Sequence, residues 1–204
     1  MNSWMLKEAM YALKSYLRTE GTDDVEKAGR VIVKHGLAAA AAAVASGWIP
    51  GAGGMVAVTI GIGFVWAMYY QLSVLFGIKI SKNILKTIAS VVVAEVAAYL
   101  SIMLAAVLVF SFVPGLNLGV SALTAVINFG MVYVAGYIYL VMMTTVCKAG
   151  RNVETMTEQE WCEEAKKAAS ESDIESVYKE AKNVHKETKD SNEYSDYKDV
   201  KPLS

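Results

Sequence analysis

Glu95 is the residue whose type and setting most invite chemistry. It is the only formal charge between Lys86 and Lys148, and an ionised carboxylate in hydrocarbon must face a partner, water or a protein interior. Helical spacing puts Val91, Ala98 and Tyr99 on its face. One expectation is a proton or cation site shared with His35 or Lys34. The other is a carboxyl protonated, or hydrogen-bonded to Tyr or Thr, inside a helical bundle, where it fixes packing. The second is preferred, because no other intramembrane charge is present to work with it. His35 stands at a helix boundary and His185 in an acidic tail, neither at ligand spacing to a Cys or another His, so no metal site is expected. Cys147 and Cys162 are the only cysteines and imply neither a zinc cluster nor a disulfide framework.

Gly51, Gly53 and Gly54 superficially suggest a phosphate loop. They lack the Lys and the preceding strand of G-x-x-x-x-G-K-[ST], so a helical turn is expected instead. No G-x-S-x-G elbow or H-E-x-x-H pair occurs. The sequence thus predicts no catalytic residue, no cofactor and a non-enzymatic protein. The acidic C-terminal part argues against nucleic acid as a partner.

The elements around these residues are set by charge segregation. The 204 residues carry a net charge of -1, yet residues 36–78 and 96–147 contain no Lys, Arg, Asp or Glu. A water-exposed helix needs charge on its outer face, so such runs must meet lipid or other protein. Two turns divide them: Pro50 and Gly51, followed by Gly53 and Gly54, and then Pro114 and Gly115. The expected fold is all-α, with two helical hairpins forming a four-helix membrane bundle. An amphipathic N-terminal helix precedes the bundle and charged helices follow it.

The boundaries follow from composition. Residues 1–22 hold the N-terminal helix, with Leu6, Met10, Leu13 and Leu17 at helical spacing. Residues 23–151 form the double hairpin, residues 152–190 a charged helical cytoplasmic segment, and residues 191–204 a disordered tail. Within the hairpins, helices are expected through the alanine run Ala38–Ala43, from about Met55 to Gly77, from about Ile84 to Phe112, and from about Gly119 to Cys147. The first is the weakest span. Its fourteen uncharged residues, Gly36 to Ile49, fall short of the roughly 20 needed to cross a bilayer unless Lys34 snorkels. Thr157 with Glu160, and Ser172 with Glu175, have capping-box spacing.

Basic residues near the apolar ends, at the N-terminus, at Lys79, Lys82 and Lys86, and at Lys148 and Arg151, place both termini in the cytoplasm and both turns away from it. Tyr69 and Tyr70 should sit at a depth comparable to Tyr137 and Tyr139. No secretory signal pattern is visible among Lys7, Glu8, Lys14 and Arg18.

The stretch from Ala38 to Met143 carries the turn Ile49-Pro50-Gly51-Ala52, the segment Tyr70-Gln71-Leu72-Ser73-Val74-Leu75-Phe76-Gly77-Ile78, a basic loop and Val113-Pro114-Gly115. In these it resembles a bacterial membrane-associated family of unknown function, found beside or fused behind Era-like GTPase domains. The resemblance implies a stand-alone member without the GTPase domain, with any GTPase a separate partner. It supplies no catalytic residues. The expectation is therefore a multi-pass protein of the bacterial inner membrane that acts as an anchor or interaction module, with the lipid bilayer as partner and self-association through Ala38–Ala45. Two alternatives stay open: an oligomeric pore lined by Glu95, Thr59, Gln71 or Asn128, and a soluble helical protein whose hairpins insert into membranes.

Overall fold

A computed structural model describes residues 3–17, 23–46, 53–110 and 117–203. Among them are eight α-helices, one 3-10 helix and no strand. The α-helices are α1 (Trp4–Leu17), α2 (Asp23–Ser46), α3 (Gly53–Leu75), α4 (Lys82–Tyr99), α5 (Ser101–Phe110), α6 (Asn117–Lys148), α7 (Glu158–Glu171) and α8 (Ile174–Thr188), and the 3-10 helix is Asn192–Asp199.

Helix α6 is the axis. Its 32 residues extend about 48 Å at 1.5 Å per residue, and it is apolar all round, as a helix enclosed on every side must be. It touches each of the other α-helices. From Ile127 to Gly136 every residue is buried. Helix α2 lies antiparallel to it, with Ile32 against Gly136 and Gly36 against the Phe129 ring. Helix α3 runs parallel to it, and at that contact the Tyr69 and Tyr139 rings stack with centroids 4.6 Å apart. Their polar ends are satisfied internally: the Tyr69 hydroxyl donates to the Ala135 carbonyl at 2.9 Å, and Ser73 Oγ meets the Tyr139 hydroxyl at 2.8 Å. Tyr69 and Tyr139 therefore share a depth, but as core residues instead of an interfacial belt.

Both α3 and α6 stop at a glycine in the left-handed region, Gly77 (φ 66°) and Gly150 (φ 67°). In each case two amides fold back on the last turn, Ile78 to Ser73 and Gly77 to Val74, then Arg151 to Val146 and Gly150 to Cys147. This is the Schellman closure, which a Cβ-bearing residue adopts only with strain.

The single helix expected from Ile84 to Phe112 is two. The chain turns by 76° between α4 and α5, at Leu100 (φ -82°, ψ 4°). A ψ near zero turns the chain out of the helical path, and the fully buried Leu100 side chain holds the corner in the core. Beyond it α5 packs on α3 and α6.

The charged C-terminal segment is not a separate layer. Trp161, Ala165, Ala168, Val177, Ala181 and Val184 join the same hydrophobic cluster as α6. Helix α7 lies on α4 and α6, and α8 on α6. Residues expected to form a disordered tail instead make the 3-10 helix. Its Tyr194 is buried, Glu193 pairs with Arg30 at 3.1 Å and Asp196 pairs with Lys34. The expectation failed there because these residues have no apolar periodicity of their own; one aromatic and two ion pairs to α2 hold them.

Candidate membrane interface

Length and apolarity qualify two described helices to cross a bilayer, within Asp24–Ala45 and Ser121–Lys148, or three if the bent α4–α5 pair counts as one. Four such spans are not found among the described residues. The stretch Thr59–Leu75 of α3 is a shorter apolar helix.

The two best candidates are covered by protein. The α6 stretch is 83% buried and the α2 stretch 61% buried. The cover is amphipathic: α1 buries Leu6, Ala9, Met10 and Leu13 and turns Lys7, Glu8 and Lys14 outward or to the rim. Helix α8 runs antiparallel to α6, with Tyr178 seated on Gly130 and His185 against Phe129, the ring centroids of the latter pair 4.8 Å apart. Its outer face carries Glu175, Lys179, Lys182 and Lys186.

Glu180 faces inward, only 6% exposed. Its carboxylate accepts from the amides of Met5 (3.0 Å) and Leu6 (3.3 Å), the first turn of α1, and from the Tyr133 hydroxyl at 2.7 Å. A negative group there meets the positive end of the α1 dipole and supplies acceptors to amides that no helical carbonyl can reach.

The opposite end of the molecule has no such jacket. It is formed by the last turns of α2 and the first turns of α3 and α6; these and α5, which packs on α3 and α6, carry no formal charge. Helix α5 leaves Ile102 84% exposed and Val109 61% exposed. Gly53 and Gly54 open α3, while Pro50, Gly51, Pro114 and Gly115 lie outside the described residues. The Ala38–Ala45 surface is partly used within the chain: Ala38, Ala39, Ala40 and Ala43 are buried, and Ala41 and Ala45 are exposed.

Beside this end is a groove of about 590 Å3 between α2 and α6. Lys182, His185, Lys186 and Lys189 of α8 form its rim. Burial, and then the charge of Lys189, hold the His185 imidazole below the ordinary histidine range. The three lysines stand at i, i+4 and i+7, hence on one helix face. That spacing was legible in the sequence, but lay in a segment read as charged and acidic on balance. A second cavity, between α2 and α3, is lined by Lys27, Arg30, Lys34, His35, Tyr70 and Gln71.

The residues singled out from sequence lie apart. Glu95 is exposed on α4, in a shallow hollow with Tyr99 and the α7–α8 corner at Ser172 and Asp173. It does not meet Lys34, which pairs with Asp196, or His35, whose Nδ1 donates to the Val31 carbonyl at 2.8 Å. The interior site expected for Glu95 is therefore corrected: α4 presents it outward because Val92, Val93 and Val96 occupy its core face. His35 is fully buried, and its Nε2 has no partner among the described residues. Of the residues named for a pore, Asn128 is buried and donates to the Thr124 carbonyl, Gln71 lines the α2–α3 cavity and Thr59 is exposed on α3. They line no common path within the chain. No group of three or more His, Cys, Asp or Glu among the described residues is placed to hold a metal ion.

The chain matches no family model, no curated protein and no solved structure.

Proposed function

We propose that this is a non-enzymatic, membrane-associated helical protein that enters the bilayer by its charge-free hairpin end while α1, α7, α8 and the 3-10 helix stay in water. The observation that carries this reading is that a molecule with exposed Ile102 and Val109 on the charge-free α5 also carries a row of α8 lysines along the α2–α6 groove. Apolar residues that enter a headgroup layer and lysines that stay at its surface are the two components of interfacial binding. The depth of entry is set by α8: because its lysines lie beside Ala122 and Val44, only the last turns of the hairpins pass beyond the phosphates.

A second reading, a multi-pass bundle with both termini cytoplasmic, is favoured by the length and apolarity of the α2 and α6 stretches. It requires α8 to leave α6, because α8 lies along that helix from Ala122 to Tyr133 with its charged face outward. Flotation followed by a carbonate wash separates the two. Protein that floats with vesicles and is released by carbonate fits entry by the hairpin end, protein that resists carbonate fits the multi-pass bundle, and protein that never floats sinks both. The resemblance to the GTPase-associated family adds a proposed partner, a separate GTPase docking on the water-facing jacket, and pull-down with and without bound GTP tests it.

A further inference from the structure

The groove between α2 and α6 combines an apolar floor with a basic rim. Leu37, Ala40, Ala41 and Val44 form one wall, and Ala122, Ala125 and Val126 the other. Small side chains leave a channel, and its volume of about 590 Å3 lies within the general range of ligand pockets. No carboxylate among the described residues lines it. Lys182 lies over the Tyr178 ring at 5.5 Å and Lys189 pairs with Asp190 at 3.9 Å, while Lys186 has no ion-pair partner among the described residues.

We infer that this groove holds one anionic phospholipid, with an acyl chain along the alanine walls and the phosphodiester at Lys182, Lys186 and Lys189. Charge complementarity selects the occupant. A neutral apolar segment leaves the lysine row uncompensated, and an acidic peptide leaves the alanine floor unfilled, whereas an anionic lipid satisfies both. The groove opens beside the hairpin end, so a lipid can enter it from the bilayer. This inference rests on the membrane reading above and narrows it to a lipid class and a place.

The test uses the purified full chain and vesicles of phosphatidylcholine alone or mixed with phosphatidylglycerol, with bound lipid counted by native mass spectrometry. Wild type is expected to retain phosphatidylglycerol over phosphatidylcholine, with a preference of roughly fivefold for each contributing lysine. Combined Lys182→Gln, Lys186→Gln and Lys189→Gln should erase the preference and leave flotation through the apolar end. Ala41→Phe and Ala122→Phe fill the groove at exposed positions where folding is unaffected, and both should lower lipid retention at unchanged net charge. Retention unchanged in both phenylalanine variants overturns the groove and reduces the lysines to diffuse surface charge. Equal retention of the two lipids by wild type also overturns it, with the membrane reading intact. Failure of wild type to float on either vesicle defeats the membrane reading itself.

Discussion

The Tyr133 hydroxyl, in the middle of α6, donates to the Glu180 carboxylate of α8 at 2.7 Å, and the same carboxylate takes two amides from the start of α1. Three helices distant in sequence are thus tied at one buried group. Glu180→Ala leaves all three donors without their acceptor, and a buried donor left unpaired costs about 1–3 kcal/mol. A total loss of roughly 2–4 kcal/mol is expected in chemical denaturation. Tyr133→Phe, which keeps the two amide bonds, should lose only about 1 kcal/mol. Equal effects from the two variants would show that the cap on α1 contributes nothing.

At Gly130 the Tyr178 ring of α8 lies directly against the α6 backbone. A Cβ there would stand 2.1 Å from Tyr178 Cε2, so the ring must move or α8 must lift. Gly130→Ala is expected to destabilise by about 1–3 kcal/mol, the usual range for overpacking, and to expose α8 to protease. Combining it with Tyr178→Ala should restore most of the docking. Protease resistance in the single variant would mean that the ring has another place to go.

Acid should loosen the same helix. Since burial lowers the His185 pKa, the unfolded chain binds a proton that the folded chain refuses, and stability rises with pH across the window between the two values. Stability is complete above the ordinary value of about 6.5 and falls as pH drops below it. Lys189 opposes protonation as burial does, and Asp190, which favours it, is the weakest of the three influences, so the sign is set by burial and Lys189 together. Hydrogen exchange at neutral and mildly acid pH should show faster opening of α8 in acid, and His185→Gln should flatten that difference.

Exposed apolar residues can be changed without disturbing the core. Ile102→Glu together with Val109→Glu should leave the melting temperature within a few degrees of wild type, since surface substitutions usually shift stability by no more than about 0.5 kcal/mol. Vesicle flotation should nevertheless fall severalfold. Unaltered flotation would remove α5 from the membrane interface.

Much of the helical order was legible in the sequence. Hydrophobic periodicity and Gly77 marked the end of α3, and the Thr157 and Glu160 capping box opens α7 as spaced, with Thr157 Oγ1 accepting from the Glu160 amide and Glu160 accepting from the Thr157 amide. The cap expected at Ser172 is moved one residue on, where Asp173 accepts from the Ser176 amide at 3.0 Å. The turn at Leu100 was not legible, because neither Pro nor Gly marks it and tertiary packing alone stabilises it. Glu180 was hidden for a different reason. Among many tail carboxylates it looks solvated, although it falls on the stripe of Val177, Ala181 and Val184 that α8 buries. Glu95 misled in the opposite direction: apolar neighbours in sequence suggested an interior position, while helical phase turned it out.

The placement of α7 and α8 over α6 also orders events during synthesis. Helix α6 emerges from the ribosome without any polar face, and the two helices that cover it are made only afterwards, a delay of seconds at about 5–20 residues per second. Throughout that interval the Gly130 side of α6 is bare. The nascent chain is therefore at its stickiest just before its last two long helices are made, so a bilayer or chaperone at the exit port competes with the protein's own C-terminus for the same surface.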